Sequence, residues 1–344
     1  MSDEKHIITW DLGASKCAAA LVAYFPEQDH YDCLRRYSIK NADCNSLDDL
    51  AAHLEQGLQV KHTEVDAIVI GASGEYNGAE LYHEASRYPY KMDFARFITE
   101  HHWPKTAIIH DYAPVICATF AKSYMNDPAN VRILNEGHMN PQGRRIATGV
   151  GTGLGMKDGV LFPDNSFWLG TNEVGYTGIS MPPAADTDHL KRHVELIKFM
   201  RSEGIMEDDK LLSYENILSG RGCVLLHKFV KSNHTHITPE ELGKQMRNGE
   251  ADETRQILAW YLGLFVSTLQ LAFMPDGGLW ITGGVVLKHP KIFDCSEFYD
   301  GIEASPSYWR QRQGFPLGVL QNPDHAFIGG AYYAMQRLIR TNSK

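Results

Sequence analysis

Apolar residues gather in three short runs at the start of the chain, His6 to Trp10, Cys17 to Tyr24 and Tyr31 to Ile39, and each run reads as a strand. The first two are separated by a tight glycine turn, Asp11 to Ser15. A helix is expected over Ser46 to Leu58, with Ser46 as N-cap and Asp48 and Asp49 in the first turn, where carboxylates suit the positive end of the helix dipole. Apolar strands at Asp66 to Ile70 and Thr106 to His110 complete a first α/β unit that ends at Asp111.

The strand, glycine turn, strand pattern then recurs as Arg145 to Val150, the turn GVGTGLG at 149–155, and Met156 to Phe162, a weak internal duplication. Helical stretches follow at Asp188 to Ser202, Gly222 to Val230, Pro239 to Arg247 with Pro239 at a first helical position, and Glu253 to Met274. A late strand, Gly278 to Ile281, runs into Gly283-Gly284, and Ala326 to Ile339 has amphipathic helical spacing. The 18 residues from Ile257 to Met274 carry no charge and approach the length of a membrane span. Ser267, Thr268 and Gln270 within them favour a buried helix of a soluble protein.

At 344 residues, 43% hydrophobic and 22% charged, the chain can bury two domain-sized cores. The net charge of −9 is spread along the sequence without a basic stripe, which argues against a nucleic-acid partner. Cys17, Cys33, Cys44, Cys117, Cys223 and Cys295 form no CxxC pair and read as reduced cytosolic thiols. The polar start, Met1 to His6, lacks the basic and apolar regions of a secretory signal, so a cytoplasmic protein is expected.

Candidate chemistry sits at the turns. Asp11-Leu12-Gly13-Ala14-Ser15 lies between strands, where outward backbone amides can cradle an anion and Asp11 can hold magnesium through water; a plain hairpin turn is the alternative. Gly149, Gly151, Gly153 and Gly155 allow close backbone approach to phosphate. A returning strand after them, where a dinucleotide fold needs a helix, rejects a Rossmann site. His110-Asp111 lies where a strand emerges into a helix near Pro114, a place for a general base or for an ordinary helix cap. Glu173 and Glu215 can accept sugar hydroxyls, or be solvated surface charges. Gly220-Arg221-Gly222 and Gly283-Gly284 offer bare backbone to a flat purine, or cap helices. His101-His102 and the pair His234 and His236 lack metal-ligand spacing and read as surface histidines.

Taken in order, DLGAS, IIHDYA, GVGTGLG, NEVGY, YENILSGRG, LWITGG and QNPDHAFIGGA resemble the bacterial glucokinase family, over nearly the whole chain. The resemblance implies the α/β, two-lobed actin-like ATPase (ribonuclease H-like) fold with the active site in the interdomain cleft. It implies a small domain of 1–112 plus 323–344, a large domain of 113–322, and a homodimer. It makes Asp111 the catalytic base, with His110, Glu173, Tyr176 and Glu215 facing the sugar. Asp11, Gly13 and Ser15 fall on the first phosphate loop, Gly151, Thr152, Gly153 and Gly155 on the second, and Gly283 and Gly284 on the adenine side. The implied cofactors are ATP and Mg2+, with Asp11 on the metal side.

The chain departs from the family at Ala14 and Lys16, at His110 where an asparagine is usual, and at Val174 and Tyr176 in place of a glycine and a histidine. Ser15 keeps a hydroxyl. The expected activity is phosphorylation of glucose; a different hexose or amino sugar, or a sugar-binding protein with little catalysis, are the readings these departures leave open.

Overall fold

The computed structural model describes residues 4–82, 88–207, 210–231 and 237–340. The chain divides into two compact units, one built from Met1–Arg132, Leu161–Leu169 and Leu320–Lys344, the other from Ile133–Val160 and Gly170–Val319. Residues 113–132, which the sequence reading assigns to the large domain, belong with the first unit. The reason is packing: helix Tyr112–Ala118 lies against the C-terminal helix His325–Ala334, so closely that a Cβ on Gly329 would sit 1.8 Å from the Pro114 carbonyl oxygen.

In the first unit β1 (Lys5–Leu12), β2 (Lys16–Phe25) and β3 (His30–Lys40) form an antiparallel meander, and β4 (Ala67–Ala72) and β5 (Lys105–His110) add in parallel, giving the order β3-β2-β1-β4-β5. Every residue of β4 is buried, as expected for a parallel strand covered on both faces. Between β3 and β4 runs helix Leu47–Leu58. Ser46 caps it, its hydroxyl accepting the Asp49 N–H at 3.1 Å, and Leu47, Leu50, Leu54 and Leu58 face the core.

The second unit repeats the theme. β6 (Arg145–Val150) and β7 (Leu154–Leu161) form a hairpin, and β8 (Leu279–Thr282) pairs parallel with β6, with β9 (Leu317–Leu320) parallel to β8. The duplication seen in the sequence is thus a repeated topology, a hairpin whose first strand gains a parallel neighbour. The long apolar helix, Asp252–Phe273, is the core of this unit, with Phe265, Val266 and Leu269 all at 0% exposure. Its polar residues have partners inside the protein. Ser267 and Gln270 accept hydrogen bonds from the buried Arg312 guanidinium at 2.6 and 3.2 Å, and Thr268 bonds the Tyr214 hydroxyl at 2.7 Å. This helix alone, among the described residues, is long and apolar enough to cross a membrane, and most of it is buried.

Candidate active site

The first glycine turn, a candidate phosphate loop, is shorter than the sequence suggests. Asp11 and Leu12 remain in β1, Asp11 paired with Ala18 on one side and Gly71 on the other, and only residues 13–15 turn. A residue that the sequence reading missed shapes this turn. Asn41, fully buried just after β3, donates its side-chain amide to the carbonyls of Gly13 and Ala14 at 2.8 and 2.9 Å, and its backbone N–H to that of Ser15 at 2.9 Å. A trans peptide whose C=O points at Asn41 points the following N–H the other way, so the amides of Ala14 and Ser15 face outward, as an anion cradle needs. Asn41→Ala removes two hydrogen bonds and leaves loop carbonyls unpaired. It is expected to cost about 2 to 4 kcal/mol, read as a lower Tm.

Two carboxylates adjoin this loop. Asp11 touches solvent, yet crowding by protein atoms pushes its pKa up to about 6; the Asp111 carboxylate adds to the rise and Lys16 opposes it. Lys16, which the sequence leaves without a role, thus serves the ionised form of Asp11. Asp111 follows β5, its N–H held by the Ala72 carbonyl at 3.0 Å, and opens helix Tyr112–Ala118. Its side chain makes no capping hydrogen bond to that helix. The amide of Tyr112 lies 3.2 Å from His110 Nδ1 instead. His110 Nδ1 also stands 3.0 Å from Asp111 Oδ1. The bland reading of Asp111 as a helix cap therefore fails. Tyr88 completes this half: its hydroxyl donates to the Ser73 carbonyl at 2.7 Å, and burial, with Asp111 adding, raises its pKa to about 12.

The second glycine turn, also a candidate phosphate loop, is pinned from several sides. Gly151 N–H donates to the Gly153 carbonyl at 2.8 Å and Gly220 N–H to the Gly151 carbonyl at 2.8 Å. Glu215 Oε2 accepts the Leu154 N–H at 2.5 Å, and a Cβ on Gly153 would stand 2.9 Å from Glu215 Oε1. Glu215 is therefore a loop anchor through Oε2. Burial raises its pKa, with Glu173 adding to the rise and the Leu154 amide opposing it. Gly155 lies inside β7, its carbonyl accepting the Thr148 hydroxyl at 2.9 Å, while Thr152 is exposed at the turn. Gly283 must be glycine: its φ is 101°, and a Cβ would stand 2.4 Å from the Val150 carbonyl oxygen. Gly284 beside it faces open space.

Glu173 and Tyr176 occupy the ends of one short turn, both exposed, with the Tyr176 N–H on the Glu173 carbonyl at 3.1 Å. Burial raises the Tyr176 pKa, as do the nearby Glu215 and Glu173 charges. Asp158, buried, holds the approach to this turn by accepting from Asn172 Nδ2 at 3.0 Å.

Other candidates contribute nothing here. His101 is exposed and bonds Asp48 at 2.8 Å, and His234 and His236 lie outside the described residues. Cys44, Asp49 and His53 bring ligand atoms within 4.8 Å of one another, but Asp49 is already engaged by the Asn45 N–H at 2.9 Å. A surface cavity of about 490 Å³ near Arg247, Asp252 and Arg255 contains none of these site residues.

The family model described as Glucokinase matches residues 8–337. The chain belongs to the glucokinase family. The glucokinase of Agrobacterium fabrum is 28% identical over 218 residues, a stretch covering 60% of this chain and 59% of that protein. The glucokinase of an Antarctic psychrotroph superposes with a TM-score of 0.77 at 18% identity, over 96% of this chain and 99% of that one. A ROK family glucokinase from Streptomyces griseus, solved in complex with glucose and AMPPNP, superposes at 0.61 and 17% identity, over 96% and 99% of the two chains. The fold is thus the two-lobed actin-like ATPase class. Within this glucokinase family fold, each unit holds its own set of site groups: His110, Asp111, Asp11 and the 13–15 turn in the first, and Glu173, Tyr176, Glu215, the 151–153 turn and Gly283-Gly284 in the second.

Proposed function

We propose that the protein is an ATP-dependent hexokinase that transfers the γ-phosphoryl group of ATP to a hydroxyl of a hexose, with glucose as the first acceptor to test. The observation that carries this reading is Asp111, a carboxylate at the start of a helix that it does not cap, beside the second carboxylate of Asp11. Phosphoryl transfer to an alcohol asks for such a base and for fixed donors around the phosphates. As the sugar oxygen forms its bond to γ-phosphorus and the bond to the β-phosphate oxygen breaks, Asp111 takes the hydroxyl proton. The outward amides of Ala14 and Ser15 and the turn at Gly151, Thr152 and Gly153 hold phosphate oxygens. The open surface at Gly284, beside Gly283, takes the purine, and Glu173, Glu215 and His110 address sugar hydroxyls.

Asp11 fits Mg2+, since a divalent cation offsets the crowding by protein atoms and the Asp111 repulsion that oppose its ionisation. Mg2+ held there supplies charge neutralisation for the phosphates. The family relation adds a cytoplasmic homodimer serving glycolysis to the proposal.

Sugar-dependent release of ADP from MgATP, measured against a panel of hexoses and amino sugars, tests this reading; no release with any sugar would overturn it and favour a sugar-binding protein with little catalysis. Its pH dependence is also set. With a pKa of about 6, Asp11 is about nine-tenths ionised at pH 7 and about one-tenth at pH 5, so kcat/KM for MgATP should fall as pH drops through 6. The raised folded-state pKa means that ionised Asp11 opposes folding above pH 6, a penalty that fades as pH falls from 6 toward the ordinary value of 3.8. Asp11→Asn should therefore raise Tm at pH 7 while turnover is lost; a lower Tm would contradict the assignment.

A further inference from the structure

Three metal-ligating side chains of different chemistry converge at the start of helix Leu47–Leu58: the Cys44 thiol, the Asp49 carboxylate and the His53 imidazole, whose ligand atoms all lie within 4.8 Å of one another. An acid and a base four residues apart on a helix often form an ordinary surface pair. Two observations set this one apart. Asp49 Oδ1 and His53 Nε2 stand 3.5 Å apart, too far for a good hydrogen bond. Bonds of about 2.0 to 2.2 Å at a tetrahedral Zn2+ place oxygen and nitrogen ligands about 3.4 Å from each other. The second observation is the Tyr90 hydroxyl, buried with no hydrogen-bond partner and near enough to Cys44 to favour its thiolate. A buried donor without an acceptor is costly, and a charged sulfur is an acceptor within its reach. Asn45 orients the Asp49 carboxylate without using it up. Its backbone N–H and side-chain amide both donate to Oδ2, at 2.9 and 3.2 Å, and leave Oδ1 toward His53.

We propose that Cys44, Asp49 and His53 bind a thiophilic divalent cation, Zn2+, with water as the fourth ligand, and that the ion braces the segment that holds the 13–15 turn. Thiolate and imidazole suit Zn2+, whereas Mg2+ takes oxygen ligands, so this site is distinct from Asp11. Tetrahedral geometry puts the sulfur about 3.6 Å from the other two ligands, which asks for at most about 1 Å of closure. On binding, the Cys44 S–H bond breaks, a sulfur–metal bond forms and the proton leaves to solvent. Burial and the Asp49 charge hold the thiol protonated until a cation reverses that preference. Two anionic ligands match the charge of the ion and outweigh the weak opposition of the helix N-terminus. Asp49 and His53 are partly exposed, which gives the ion an entry path. The consequence reaches the turn because the Cys44 N–H donates to the Asn41 carbonyl at 3.2 Å, and Asn41 holds the Gly13 and Ala14 carbonyls.

The test strips the full chain of metal with EDTA, adds excess Mg2+ to fill oxygen sites, and titrates with Co2+, whose bond to a thiolate gives a charge-transfer band in the near ultraviolet, and separately with Zn2+. The parent chain should bind one Co2+ with that band. Zn2+ at about 100 times its Kd should raise Tm by several degrees and slow hydrogen exchange at the Asn41 and Cys44 amides. Cys44→Ser should abolish the band. His53→Gln, a partly exposed position where substitution leaves the fold intact, should weaken binding by at least roughly 10 to 100-fold, the cost of losing even a partner outside the ligand set. Cys33→Ser, on β3 and outside the cluster, should keep the band. A parent chain without the sulfur band, a band at full affinity in Cys44→Ser or His53→Gln, or a band lost in Cys33→Ser overturns the site. Unchanged amide exchange on filling the site overturns the bracing. None of these readouts depends on sugar phosphorylation, so the kinase reading stands or falls separately.

Discussion

Asp111→Asn is expected to lower kcat by roughly 10² to 10⁴-fold while the KM for sugar changes little, the usual loss for removing a general base. Asparagine keeps the shape and one acceptor oxygen of aspartate but takes no proton. The fold should not suffer, because the Asp111 side chain makes no capping bond to the helix that it opens. A second readout separates a base from a merely structural residue. The Asp111 charge helps raise the Asp11 pKa toward 6, so neutralising it should let Asp11 ionise at lower pH and move the acid limb of MgATP binding downward. Full turnover in the variant would remove Asp111 from the chemistry. Lost turnover with an unmoved acid limb would keep the base and break the coupling to Asp11.

Much of this was legible in the sequence because local chemistry agreed with the global fold. The hairpin closed by Leu12 and Cys17, the Ser46 cap and the central helix with its uncharged stretch each follow from short-range pattern. The rejection of a dinucleotide site also stands, since β7 returns antiparallel to β6 where a helix would be needed. What escaped depends on long-range contact. Asn41 is 28 residues from Gly13, and nothing in its neighbourhood of the sequence says that a buried amide there will hold the loop. The anchoring of the 151–153 turn by Glu215 escaped as well, because its bond to the Leu154 amide spans 61 residues. The strand Leu317–Leu320 is only four residues long and is set by its parallel pairing to β8, which no local period announces. The same reasoning explains the misplaced unit boundary, fixed by a helix contact across more than 200 residues of chain.

That contact yields a second large expected effect on stability. Gly329 and Gly330 lie in the C-terminal helix, where glycine in general costs about 1 kcal/mol relative to alanine, so propensity alone favours replacing either one. Packing opposes it at Gly329, whose added Cβ would meet the Pro114 carbonyl oxygen at 1.8 Å and the Ala118 nitrogen at 2.6 Å, both rigid backbone of helix Tyr112–Ala118. At Gly330 the nearest atoms are the Thr9 methyl at 2.9 Å, which rotation about χ1 can move, and the Thr9 Cβ at 3.2 Å, a far milder crowding than at Gly329. Overpacking of rigid elements costs about 3 kcal/mol or more, which outweighs the gain in propensity for Gly329→Ala but not for Gly330→Ala. Pro114 is already wedged, since a Cβ on Gly71 of β4 would stand 2.9 Å from its ring, so the helix has no slack on the sheet side to absorb the shift. Gly329→Ala should therefore lower Tm by several degrees and reduce turnover with it, because the displaced helix begins directly after Asp111. Gly330→Ala should leave both within a small margin of the parent chain. Equal Tm values for the two variants would show that the interhelical contact yields freely and does not hold the base in place.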